Sequence, residues 1–415
     1  MLSIIFRRLI ALLCLTLAIS AQAQDSGSAF SVHGFGTLGV VHNTSRQVDI
    51  VRDLSQNDGV GYTRQTDFGM DSNLGVQINT RISDTLDAAI QVVSRKSAND
   101  FQPEITWAYG RYAMDDDTQL RVGRLGFDVY LLADSRNIGY SYQWVRPPID
   151  FFGGLIISYF DGADLVLSRK TAMGILRTKL FTGVAREKTF TGPGDTFFSF
   201  NQSSLYGAYA DLQQQAWQFR LGYSELKLKN EFPPLIAALD ALHSPELNQV
   251  VPAADSIGTS LSMKNKKVKY ISAGIAYESG PLQAQLMLSR ITSESQAFPS
   301  YQAGYLTGSY RLGRYTPYAT YSAASPYHVA PLPTLPVGLS SDVDMLAIGL
   351  KDALQTQFNH QHTISLGVRY DLNDKSNLKL QIDRIHSRGY FLTRNQQPGW
   401  NGNATLISLA LNFIF

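Results

Sequence analysis

Residues 403–415, NATLISLALNFIF, alternate strictly: Ile407, Leu409, Leu411, Phe413 and Phe415 share one face of an extended chain, while Ser408, Ala410 and Asn412 share the other. One strand of this kind fits the core of a soluble sandwich as well as a wall between lipid and water. The pattern recurs, however, throughout the chain. Residues 86–95, LDAAIQVVSR, set Leu86, Ala88, Ile90 and Val92 against Asp87, Ala89 and Gln91, and follow residues 68–82 across a tight Ser83-Asp84 turn. Similar pairs are expected at 104–114 with 118–127, 155–168 with 174–185, 200–212 with 216–229, 266–279 with 282–294, 301–313 with 315–323, and 362–372 with 377–388.

Residues 30–41 form a first strand in which Phe30, Val32, Gly34, Gly36, Leu38 and Val40 share the outward face. Its glycines suit either close packing on a neighbouring subunit or a bend in the wall. Between the pairs lie longer polar segments, at 43–65, 96–103, 128–152, 230–265, 325–358 and 389–401. In the fourth, PPLIAALDALH predicts one short helix near the barrel mouth. The pattern gives about sixteen antiparallel strands, seven tight turns at one end and eight longer loops at the other. The expectation is an all-β transmembrane antiparallel β-barrel with short periplasmic turns and long extracellular loops, apolar towards lipid and polar towards a lumen.

Composition narrows the choice. The chain has 415 residues, 44% hydrophobic and 17% charged, and beyond its amino terminus no run of roughly 18 apolar residues that would make a spanning helix. Met1 to Ala23 reads as a signal peptide: Arg7 and Arg8 precede the apolar stretch 9–19, and Ala21-Gln22-Ala23 forms a small-residue cleavage pattern. Residues 24–415 are then the barrel. Cys14, the only cysteine, falls in the signal, so the mature chain has no cysteine metal site or disulfide. Without Arg7 and Arg8, 34 basic residues balance 34 acidic ones, and nothing points to nucleic acid.

Several short motifs join this layout: the signal, the FxxxGxG-like first strand, Asp71-Ser72-Asn73-Leu74-Gly75-Val76, Arg121-Val122-Gly123-Arg124 and the final Phe415. On them the chain resembles the Gram-negative trimeric porins. Asn73 stands where many of those carry arginine, and the loop after strand five lacks their Pro-Glu-Phe. The resemblance implies a cell outer membrane location among lipid and lipopolysaccharide, a homotrimer, and passive diffusion of small hydrophilic solutes and ions. It also implies a third long loop folded into the lumen, and a Phe415 that resembles the signal read by the barrel assembly machinery. No cofactor is implied.

Candidate chemistry is that of a pore. Arg95, Arg111, Arg121 and Arg124 are expected to line the constriction opposite Asp128, Asp134 and Asp150 of the loop, setting up a transverse field. Arg124 shares parity with the outward Leu120 and Val122, so it points inward only if the strand ends or bulges there. Tyr142, Trp144 and Arg146 either stack on a solute or anchor the loop. His360 and His362 share a strand face near its outer end and are read as surface, with no metal assigned. A sugar- or anion-selective channel of the same architecture is the alternative function. A barrel enzyme is the least favoured, because the seven histidines show no nucleophile–base–acid spacing.

Overall fold

The computed structural model describes residues 30–190, 197–327, 334–354 and 359–415. The expected signal segment lies outside the described residues. Sixteen long antiparallel strands form the wall: β1 (Phe30–Asn43), β2 (Asn73–Arg81), β3 (Leu86–Ser97), β4 (Asp100–Ala113), β5 (Thr118–Gly126), β6 (Tyr159–Thr171), β7 (Gly174–Ala185), β8 (Ser203–Gln214), β9 (Trp217–Lys227), β10 (Lys267–Ser279), β11 (Leu282–Ser293), β12 (Tyr301–Tyr310), β13 (Tyr315–Pro326), β14 (Asn359–Asn373), β15 (Ser376–Gly389) and β16 (Asn403–Ile414). Each pairs with its sequence neighbour, and β1 pairs with β16 from Phe35↔Ile414 to Asn43↔Leu406, so the sheet closes without an open edge.

Parity separates barrel from sandwich. The apolar rows face outward and are uncovered: Leu380, Ile382, Ile407 and Leu409 on β15 and β16 are each more than 40% exposed. Their alternates Asn377, Gln381, Asp383, Ser408 and Asn412 face inward and are buried. Burying apolar area is the main force that folds a water-soluble chain, so a soluble sandwich would show the reverse. The fold is the expected closed barrel.

At the seam, the rings of Phe413 and Phe415 occupy the space that side chains on Gly36 and Gly34 would need. A Cβ added to Gly36 would lie 2.5 Å from the Phe413 ring, and one added to Gly34 would lie 2.1 Å from that of Phe415. The smooth strip on β1 is therefore filled by the chain's own last strand.

Three local expectations change. Residues 96–103 are not a long loop: β3 and β4 continue to a two-residue turn at Ala98 and Asn99, with Ala98 at φ 53. Pro103 is accommodated because β5 pairs with β4 only from Ala108 onward, which leaves that stretch of β4 as an edge with no ladder partner for a missing N–H. The segment 230–265 holds three helices instead of one, α2 (Ile236–Leu242), α3 (Pro245–Val250) and α4 (Ala254–Leu261), which bury Leu239, Leu242, Ile257 and Leu261 over the loop end of the barrel. A further helix, α5 (Ser341–Ala353), interrupts the proline-rich loop; Ser340 caps it by accepting from the Val343 N–H, and Asp342 and Asp344 favour its positive end.

Candidate functional site

The segment between β5 and β6 leaves the rim and runs down inside the barrel. Its first residues pack on β7, β9 and β10: Asp128 accepts from Lys179 Nζ at 2.6 Å, the Tyr130 carbonyl accepts from Arg220 at 2.9 Å, and the Val129 carbonyl from Ser272 at 2.8 Å. The chain then crosses to the opposite wall. There Lys379 Nζ on β15 donates to the carbonyls of Tyr142 at 2.6 Å and Trp144 at 2.8 Å, and the Tyr140 hydroxyl reaches the Asp374 carbonyl in the β14–β15 turn. Arg136 joins the two limbs by donating to the Tyr130 hydroxyl.

Arg146 is the central fastening. It is buried, with Nη2 2.6 Å from Asp71 Oδ2 and Nη1 2.8 Å from Asp383 Oδ2, and a further bond to Ser408. Trp144 donates its indole N–H to Thr320 at 2.8 Å, and Tyr142 lies under Lys379 Nζ. With Trp144 and Arg146 each 2% exposed, neither offers a face to a solute, and the stacking alternative does not describe them. The same holds for Asp150, in the short helix α1 (Ile149–Phe152): it is buried against β13, where Ser322 donates to it, and does not face open lumen. Burial pushes its carboxyl up to about 6 against partial relief from that bond. For Asp128, burial also acts upward, but Lys179 beside it outweighs that and holds the carboxyl below the usual range. Asp134, by contrast, is exposed on the loop.

The wall residues divide by parity. Asp87, Arg111, Arg121 and Asp164 stand side by side in register on β3 to β6, all inward. Arg111 Nη2 is 2.5 Å from Asp87, Arg121 Nη2 is 2.6 Å from Asp164, and Lys179 lies 2.9 Å from Asp164 on its other side. Two like charges opposite one another repel, so each arginine has its own carboxylate. Arg124 does not join them. The β5–β6 register runs unbroken to Gly126↔Tyr159, so Arg124 keeps the outward parity of Val122; it pairs with Asp161 at 2.7 Å, which Arg186 also reaches at 3.0 Å.

Arg95 faces a cavity of about 80 Å3 between the first loop, the β2–β3 wall and the crossing loop. Four guanidinium groups line it, from Arg52, Arg95, Arg136 and Arg146, with the carboxylates of Asp53 and Asp71. Asp53 sits 2.8 Å from Arg52 and 3.9 Å from Arg95; although burial acts upward on its carboxyl, these two cations hold it well below the usual range.

Solved structures share this architecture. The outer-membrane channel DcaP of Acinetobacter baumannii is 13% identical, with 94% of this chain and 99% of that one aligned at a TM-score of 0.55. An anion-selective porin from Comamonas acidovorans is 12% identical over 94% and 100% of the two chains, TM-score 0.51. The trimer form of OmpT, an outer-membrane protein of Vibrio cholerae, is 11% identical over 94% and 100%, TM-score 0.52. The chain has the porin fold. No protein-family model and no curated protein matches it by sequence.

Within this porin barrel, sequence reasoning missed Arg52, Asp53, Arg136, Asp164, Lys179, Lys379 and Asp383 as members of the charged interior. For four of them the signal was available. Asp164, Lys179, Lys379 and Asp383 occupy inward parity in strands whose outward rows are apolar, and a charge at such a position faces the lumen. Arg52, Asp53 and Arg136 lie on loops, where alternation carries no information.

Proposed function

We propose that the protein is an outer-membrane channel for passive diffusion of small hydrophilic solutes and ions, assembled as a homotrimer and carrying out no chemistry. The observation that carries the reading is the polar interior crossed by a pinned loop, which leaves Arg95 of β3 with Arg52 and Asp53 of the first loop beside a solvent-sized cavity, and Arg111 and Arg121 inward on the wall. The trimer form of the Vibrio neighbour supports the oligomer. Phe415 is proposed as the residue offered to the barrel assembly machinery, after the signal segment 1–23 has been removed.

A second reading, anion preference, is favoured by the guanidinium groups of Arg52, Arg95 and Arg136 against the one carboxylate of Asp53 around the cavity, Arg146 and Asp71 being paired with each other, and the Comamonas neighbour is described as anion-selective. In this arrangement Arg95, with Arg52 and Arg136, sets the field at the narrow point; Arg111 and Arg121 act further along the wall, and Asp134 is the exposed acidic group of the loop. Recording from purified protein in planar bilayers tests both readings. Conductance in steps of three with a reversal potential on the anion side is expected. An absence of conductance overturns the channel, and a reversal potential on the cation side overturns the anion preference alone.

A further inference from the structure

The outer wall of β11–β15 differs from the rest of the lipid-facing surface. Near the loop end, its outward positions carry Arg290, Arg384, Arg388, His360, His362 and His386, all within six residues of a strand end. His362 and His386 are partners in register with ring centroids 5.2 Å apart. Arg290 lies 3.9 Å over the Tyr327 ring and donates to its hydroxyl, and Arg384 donates to Thr405 at 2.8 Å. Among the described residues none of the three arginines forms an ion pair with a carboxylate. Lys267 on β10, by contrast, is 2.8 Å from Glu225.

Directly beside Arg290 the wall is furrowed. In register, Leu288, Gly304 and Ala323 follow one another across β11, β12 and β13, and Arg290, Gln302 and Ser325 form the next row towards the loops. Leu288 leans over Gly304, its Cδ2 2.7 Å from where a Cβ would lie, and because Ala323 has a short side chain the exposed side chains of Ile271, Leu288, Leu306 and Tyr321 border a hollow beside it. The groove encloses about 580 Å3 and is mostly apolar.

An arginine on a barrel's outer wall is costly at the membrane midplane and nearly free of cost near the interface. One arginine without a carboxylate at the end of an apolar furrow, with two more two strands away at the same end of the wall, therefore calls for an anion at headgroup depth with a chain attached. We infer that this face binds a phosphorylated lipid of the outer leaflet, its acyl chain in the furrow over Ala323 and its phosphate on Arg290, with Arg384, Arg388 and the histidines receiving a second phosphate. Guanidinium matches phosphate through paired N–H donors, which gives the headgroup a fixed orientation. The inference rests on the outer-membrane reading above and adds to it the side of the barrel that the lipid occupies.

The test uses the full chain in dodecyl maltoside, titrated with bisphosphorylated hexa-acyl lipid A and with the same lipid stripped of phosphate, bound lipid being counted by native mass spectrometry. Wild type is expected to bind the phosphorylated form at least tenfold more tightly. R290Q/R384Q/R388Q should abolish that preference, and Ala323→Trp, which fills the furrow and leaves every charge in place, should weaken both lipids alike. Equal affinity for lipid A in wild type and triple variant overturns the inference. So does a triple variant that changes the oligomeric state without changing lipid preference, which would make the face a contact between copies. Conductance of the same preparations separates the two claims: lost lipid preference with conductance kept fails this inference alone, and lipid preference without conductance fails the channel alone.

Discussion

The two halves of the inner wall are built from the same alternating strands but lead different lives. On β13 to β16 the inward side chains are almost wholly covered by the crossing loop: Asn377, Lys379 and Gln381 are at most 2% exposed. On β3 to β5 the Arg111 side chain is 43% exposed and that of Arg121 17%. Both halves carry charges, yet on one side the charges hold a loop and on the other they face the remaining space. A lumen-facing ion pair is thus a fastening or a field according to whether backbone lies across it. Four experiments bear on this difference.

Replacing Arg146 with alanine should have the largest effect. It leaves Asp71 and Asp383 buried without their cation, and breaking a buried pair from one side costs about 3–5 kcal/mol. The melting temperature should fall and the single-channel conductance rise as the loop leaves the wall; an unchanged conductance would show that the loop is held without this fastening.

Next is acidity. Asp150 is raised from 3.8 to about 6, so the anchored loop favours the neutral carboxyl. Its contribution is complete below about 3.8 and is lost as pH rises through about 6. Glu187, in the loop after β7, is pushed by burial to about 7 and acts in the same sense over a window reaching higher. The wild-type melting temperature should therefore decline between pH 4 and 7.5, whereas Asp150→Asn should be flatter up to pH 6 and keep only the part due to Glu187. Identical pH profiles would place the titration elsewhere.

Around the cavity, R95Q/R136Q, one change on the open wall and one on the crossing loop, should move the reversal potential towards cations without lowering the melting temperature as far as R146A does. If instead the melting temperature collapses, those arginines belong with the fastenings. The smallest effect is reserved for a pair three residues apart. Arg121→Gln should shift the reversal potential slightly, because Asp164 is then left with Lys179 alone, whereas Arg124→Gln on the outer face should leave it where it was. A shift with R124Q would place that side chain in the lumen.

Much of the wall was legible in the sequence because two solvents impose a period of two, which survives without knowledge of any contact. The strand expected at 174–185 matches β7 residue for residue, and Arg124 carries its own contradiction in the parity of Leu120 and Val122. The loops were not legible in this way. Nothing local in residues 96–103 says that β3 and β4 keep pairing, since that depends on the partner strand and on the free edge at Pro103. Helix α5 rests on a Ser340 cap and two aspartates, a signal masked by the prolines around it. The interior charges split likewise: Lys379 and Asp383 follow from alternation, while Arg146 meets Asp71 and Asp383 only because a loop is folded inward, and that is a matter of tertiary packing.

The hydrogen bond from Thr37 to Asn412 joins positions 375 apart. Closing a chain segment becomes more costly with its length, and a hairpin such as β10–β11 needs only Gly280 and Pro281 to turn. Assembly is therefore least opposed when hairpins form in sequence and the join between β1 and β16 is made last. Until that moment the growing sheet has two bare margins, each open to pairing with another chain.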